Sequence, residues 1–226
     1  MSIAENIAAI RTRIAETAGE RRVWLVAATK MNDAAAVREA VAAGVDACGE
    51  NWVQEFLQKD ALGAYAGAPK HFIGHLQRNK VNKLVGAVDL IQSVDSTELL
   101  HLIDRRAAAL SVTQDILLEV SIAGEAQKSG VAPEALPALL AEAAKCGAIR
   151  VRGLMCVPPV AEKSGENRRF FAAMRKLFID NREKKYDNVS MDFLSMGMTD
   201  DYLDAIAEGA NMVRIGSGIF GPRHYD

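Results

Sequence analysis

Lys30 closes the run Leu25-Val26-Ala27-Ala28-Thr29, so its amine leaves an apolar segment at the edge of a core. Desolvation and nearby cations lower the pKa of such a lysine, and the neutral amine is the form that attacks an aldehyde. A solvated lysine just past a strand is the other reading of the same residues. Near the other end of the chain stands Arg214-Ile215-Gly216-Ser217-Gly218. Glycines there let the backbone approach a ligand, and free amides at a following helix start make an anion site. Ser195 and Gly197, in Ser195-Met196-Gly197-Met198, are placed to complete that site. A plain glycine-rich turn is the alternative. Arg214, if it points inward, lies beside the bound anion or its attached ring; otherwise it pairs with a carboxylate at the rim.

Other patterns carry less. Gly216, Gly218 and Gly221 spell G-x-G-x-x-G, but the acidic residue some 20 positions on that a dinucleotide site needs is missing before Asp226. His71 and His75 are four apart in a strand context rather than on a helix, and nothing nearby completes a metal site. The basic stretch 75–80 is too short for a nucleic-acid surface and reads as a solvated helix start.

The elements that must hold these groups follow from periodicity. Ile3, Ile7, Ile10 and Ile14 form one apolar helical stripe ahead of the first strand. Short apolar runs at 23–28, 45–48, 71–74, 88–93, 116–121, 149–155, 189–195 and 212–215 then alternate with helical patterns. Asp33 caps the first of these helices and Gly44 closes it. Asp95 with Glu98 reads as a capping box, Pro133 suits a first helical turn, and Thr199 starts the helix that Gly209 ends. Eight strand–helix alternations predict one (β/α)8 TIM barrel over 1–226 with an extra N-terminal helix; a doubly wound sheet is the alternative. Active sites of such barrels lie at the C-terminal strand ends, where Lys30, Asn51, Ser195, Gly197, Arg214, Gly216 and Ser217 all fall. The polar stretch 161–167 reads as a loop.

Bulk properties exclude several classes. Of 226 residues half are hydrophobic, and 27 basic against 29 acidic residues leave a net charge of −2. That balance asks for neither nucleic acid nor an anionic membrane. Three cysteines, Cys48, Cys146 and Cys156, match no zinc or redox spacing and read as reduced thiols of a cytoplasmic protein. Residues 1–20 lack the layout of a signal peptide.

The stretches AATK (27–30), CGENWVQE (48–55), HFIGHLQRNK (71–80), EAQKSG (125–130), VRGLM (151–155), LSMGMTDD (194–201) and MVRIGSGIFG (212–221) occur in order along nearly the whole chain. With them the chain resembles the YggS/PROSC family, the pyridoxal phosphate homeostasis proteins. The resemblance implies a fold like the N-terminal barrel of alanine racemase and pyridoxal 5′-phosphate as cofactor, held as a Schiff base on Lys30. It implies phosphate contacts near Ser195, Gly216 and Ser217, Arg214 facing the pyridine nitrogen, and Asn51 as a further site residue. Two departures stand out. Cys48 replaces the usual aromatic before G-E-N, and Met31 follows the lysine where proline is frequent two positions on.

The same resemblance implies a carrier or buffer of pyridoxal phosphate in vitamin B6 homeostasis rather than an enzyme. Racemases of this fold take a second acid–base group from a C-terminal domain, and this chain ends right after strand eight. An arginine at the pyridine nitrogen cannot protonate it, which weakens the ring as an electron sink. Apoenzymes that use the cofactor are the expected recipients, and a monomer is expected. A small amino-acid racemase or lyase using the same lysine is the alternative, and a Schiff-base aldolase acting on a sugar phosphate is a third reading.

Overall fold

In the computed structural model, residues 1–124, 129–161, 163, 165–183 and 186–222 are described. Residues 125–128 of the EAQKSG motif, and 162 and 164 of the polar stretch 161–167, lie outside them.

Eight parallel strands close a barrel in sequence order: β1 Trp24–Ala28, β2 Ala47–Glu50, β3 Lys70–Phe72, β4 Leu90–Val94, β5 Gln114–Glu119, β6 Ile149–Met155, β7 Val189–Ser195 and β8 Met212–Ile215. Closure is made by β1 against β8, with Val26 opposite Arg214. The doubly wound alternative is thereby excluded. Between and around the strands run α1 Ile3–Ala18, α2 Ala34–Ala42, α3 Val53–Ala61, α4 Val81–Leu84, α5 Thr97–Ala109, α6 Leu136–Ala143, α7 Arg168–Arg182, α8 Tyr202–Ala207 and α9 Ser217–Phe220.

The side chains explain why these segments take these forms. α1 starts with a reciprocal cap between Ser2 and Glu5 and buries Ile7, Ile10 and Ile14. That stripe packs on α2, α8 and α9, so α1 seals the flank where the last strand meets the first. Strand residues alternate between the helices outside and a filled interior, where Val26, Ala47, Leu90, Leu117, Met155 and Met212 make one packed cluster bordered by Trp24 and Phe193. At Gly153 a Cβ would stand 1.9 Å from the Phe193 carbonyl oxygen, so only glycine lets β6 and β7 approach there.

Local expectations fared unevenly. Asp33 caps α2 through its side chain on the Ala36 amide, as read. The cap of α5 is Ser96 rather than Asp95, because the Ser96 hydroxyl accepts from Leu99 N; the Asp95 carboxylate instead lies 3.6 Å from His75 Nδ1. Pro133 opens a 3-10 turn, Pro133–Ala135, that leads into α6. The helix read around 79–85 is a 3-10 turn, Arg78–Lys80, running into the short α4. Thr199 precedes rather than starts α8, which begins after Asp201.

Candidate functional site

The C-terminal strand ends surround a cavity of about 620 Å³. Ala28, Lys30, Asn51, Ile73, Arg214, Gly216 and Ser217 line it, together with Met198, Thr199 and Asp200 from the loop after β7 and Val157 and Val160 from the loop after β6. A smaller space of about 190 Å³ adjoins Lys30, Gly216 and Ser217. An amine and a glycine–serine turn thus share one mouth, formed where β1 and β8 end side by side.

Each wall has a local cause. Lys30 lies two residues past β1 and is half-buried. Its neighbour Met31 takes a left-handed φ of 62°, which turns the chain sharply after the lysine. Asn51 follows β2, and its Oδ1 is buried without a hydrogen-bond partner among the described residues. Such an atom in a cavity wall is suited to meet a donor group of a ligand. Beneath Asn51, Gly74 touches so closely that a Cβ there would stand 2.2 Å from the Asn51 carbonyl oxygen.

Arg214 points into the barrel from β8 and is almost wholly buried. It donates to the Cys156 carbonyl at 2.9 Å and to the Ser195 hydroxyl. Ser195 donates to Gln92 Oε1 at 2.7 Å, and Gln92 Nε2 stands 3.0 Å from His71 Nδ1. The chain of donors runs one way, from the guanidinium to an imidazole nitrogen that must accept. Burial pushes the His71 pKa down to about 4, which keeps that nitrogen unprotonated. Burial also pulls Arg214 below its ordinary value, opposed by Glu119 and Asp201, yet a guanidinium remains charged. Glu119, at the end of β5, is pushed up to about 7 by burial and by Asp95, against the pull of Arg214.

At the glycine–serine turn, α9 begins at Ser217 with Gly216 as an uncapped N-cap. The Thr199 hydroxyl lies 3.2 Å from Ser217 Oγ and accepts from Gly218 N at 3.3 Å. α1 holds α9 from behind through Asn6 Nδ2, which donates to the Ile219 carbonyl at 2.8 Å.

Of the residues expected from sequence, Lys30, Asn51, Arg214, Gly216 and Ser217 line one cavity. Ser195 and Gly197 stand apart from its lining. The Ser195 side chain is buried between Gln92 and Arg214. Gly197, at φ 93°, packs the loop after β7 against α8, where a Cβ would stand 2.6 Å from Ala205 Cβ. Its carbonyl accepts from Arg214 N. Thr199 was missed as a wall residue because it reads as a helix start; the available signal was a hydroxyl four residues beyond Ser195, at the mouth rather than below it. Gln92 left no mark in the sequence beyond a polar residue inside an apolar strand.

The profile of the alanine racemase N-terminal domain family matches residues 1–224. A pyridoxal phosphate homeostasis protein of Pseudomonas aeruginosa is 41% identical over 230 residues, covering 99% of this chain and 97% of that protein. One of Aquifex aeolicus is 39% identical, with all of both chains covered. Among solved structures, PipY of Synechococcus elongatus with pyridoxal phosphate (PLP) bound superposes with a TM-score of 0.86 at 35% identity, covering 97% of this chain and all of that one. Alanine racemase of Clostridium difficile shares the fold, with a TM-score of 0.74 at 17% identity, and this chain spans 58% of its length. By sequence along its whole length and by fold, the chain belongs to the pyridoxal phosphate homeostasis protein family, built on the alanine racemase N-terminal domain.

Proposed function

We propose that this protein binds pyridoxal 5′-phosphate through Lys30 and acts in cellular vitamin B6 homeostasis as a carrier or buffer of the cofactor. The observation that carries the reading is the single cavity shared by Lys30, Asn51, Arg214 and the Gly216–Ser217 turn. The fit is chemical. An aldehyde needs an amine, a phosphate needs hydroxyls and amides at a glycine-rich turn, and a pyridine ring needs polar groups along its edge. The bound cofactor supplies an aldehyde and a ring that can draw electrons from an attached carbon. Lys30 Nζ would hold the cofactor through its aldehyde carbon. Gly216, Ser217 and Thr199 would hold the phosphate. Arg214 would face the ring nitrogen, kept in place by Ser195 and the Cys156 carbonyl. Ser195 and Gly197 contribute beneath the site, through Arg214 and the loop after β7.

A carrier fits better than a racemase because a permanently charged guanidinium offers the ring no proton, and an unprotonated ring stabilises a carbanion weakly. Homeostasis proteins of this name in Pseudomonas and Aquifex, and the cofactor-bound Synechococcus structure, support binding. Cytoplasmic location, a monomeric state and apoenzymes as recipients belong to the same proposal. Among the described residues no helix is long and apolar enough to cross a membrane.

The test is a visible absorbance titration with pyridoxal phosphate for wild type and Lys30→Ala, followed by an assay for racemisation and cleavage of free amino acids. A visible band in wild type, absent in Lys30→Ala, with no turnover, is the expected outcome. Turnover of an amino acid would replace the carrier reading with the racemase or lyase. No band in either protein would move the sugar-phosphate aldolase to the front.

A further inference from the structure

A lysine inside a folded chain needs a reason, since its charge must be compensated. Lys59 of α3 is 6% exposed, and its ammonium spends all three donors within the protein. It donates to the Thr29 carbonyl at 2.8 Å, to Glu50 Oε2 at 2.6 Å and to Glu55 Oε2 at 2.8 Å. The same Glu55 oxygen accepts from the Met31 amide at 2.9 Å. Thr29 Oγ1 lies 3.0 Å from Glu50 Oε2, and Asn32 Nδ2 donates to the Lys30 carbonyl at 3.0 Å. The residues immediately before and after Lys30 are therefore both fastened to one ion cluster, buried at Lys59 and Glu50 and partly exposed at Glu55. That cluster also reaches the neighbouring wall after β2, because Glu50 Oε1 accepts from Asn51 N at 2.7 Å.

We propose that Lys59, with Glu50 and Glu55, is a positioning residue for the Lys30 amine: it fixes the backbone on both sides of Lys30 and ties Lys30 and Asn51 to one anchor. The inference rests on the reading of Lys30 as the cofactor-binding lysine. The physical case is one of freedom. A lysine carries its amine on a flexible four-carbon stem, so the position of Nζ is only as definite as the Cα that bears it. Met31 holds a left-handed conformation that a non-glycine residue rarely adopts, and the bond from its amide to Glu55 is what retains it. Without the anchor the turn relaxes, and the amine spreads over more positions relative to the aldehyde. Intramolecular reactions depend steeply on such placement. A purely architectural role, joining β2 to α3, would not call for bonds to Thr29 and Met31.

The test is a double-mutant cycle read by equilibrium binding of pyridoxal phosphate. Lys59→Met is expected to weaken binding about tenfold in the wild-type background and less than about twofold in the Lys30→Ala background, because its effect passes through the covalent link. Equal weakening in both backgrounds would show a general loss of the site and overturn the proposal, as would no weakening in either. Wild type and Lys30→Ala binding equally well would overturn the role of Lys30 itself, and the anchor with it. Should Lys59→Met not fold, Glu55→Ala keeps the Lys59–Glu50 pair and removes the acceptor that Met31 N and Lys59 share, and the same dependence on Lys30 is expected in smaller measure. Amide exchange in the cofactor-free protein gives a second readout. The Met31 amide should exchange at least about tenfold faster in Glu55→Ala, in line with loss of its acceptor, and unchanged exchange would contradict the anchor.

Discussion

Two buried residues of the barrel titrate away from their ordinary values, and in opposite senses for stability. His71 is unprotonated down to about pH 4 when folded but takes a proton near 6.5 when unfolded. Between those values the unfolded chain holds the extra proton, so His71 lowers stability as pH falls from about 6.5 to 4. Glu119 keeps its proton up to about pH 7 when folded and loses it near 4.5 when unfolded. There the folded chain holds the extra proton, so Glu119 lowers stability as pH rises from about 4.5 to 7. The two trends offset each other where the windows overlap. Glu119→Gln is expected to be more stable than wild type at pH 8 by up to about 3 kcal/mol, with the gain vanishing near pH 4, as urea unfolding at the two pH values would show. Gln92→Leu removes the acceptor of Ser195 and the donor to His71 together. A loss of about 1–3 kcal/mol is expected, with weaker cofactor binding because Arg214 loses its ordered support. Unchanged binding at lowered stability would restrict this chain of bonds to folding.

The loops after the strands determine which side chains meet, and this is where the sequence was least legible. Strand and helix periods were plain in the chain, since Ile7, Ile10 and Ile14 repeat at helical spacing and the strands are short apolar runs. Caps and approaches were not. Ser96 takes the cap that Asp95 and Glu98 suggested because one residue's difference in backbone direction decides which oxygen reaches Leu99 N. Thr199 joins the Gly216–Ser217 turn because the loop after β7 bends at Gly197 and lies beside α9. The meaning of Gly74 is likewise invisible without the fold, since the atoms it makes room for belong to Asn51. Gly74→Ala is expected to cost about 1–3 kcal/mol, as overpacking does, and to displace Asn51. Urea midpoints and a cofactor titration would check both effects, and normal stability with normal binding would contradict the close approach.

At the scale of the molecule, closing the barrel brings residues 30 and 214 to one rim. Eight alternations in the sequence implied that closure, and the pairing of β1 with β8 provides it. Lys30, Arg214, Gly216 and Ser217 were legible as walls of one cavity because each sits at a strand end and belongs to a chemically suggestive string. Gln92 and Asn6 were not, because their partners are distant in sequence, and Lys59 was not, because a lysine four residues after a glutamate on a helix reads as an ordinary surface pair. Cofactor bound only by the folded barrel must stabilise it. At a hundredfold excess over Kd the expected gain is about 2.7 kcal/mol for wild type at 25 °C, read as a raised urea midpoint, and much less for Lys30→Ala at the same concentration. The most direct test of the whole account is to reduce the protein with borohydride in the presence of pyridoxal phosphate and map the modified peptide by mass spectrometry. One equivalent of cofactor fixed on Lys30 is the expected result; modification spread over surface lysines, or concentrated on another lysine, would contradict it.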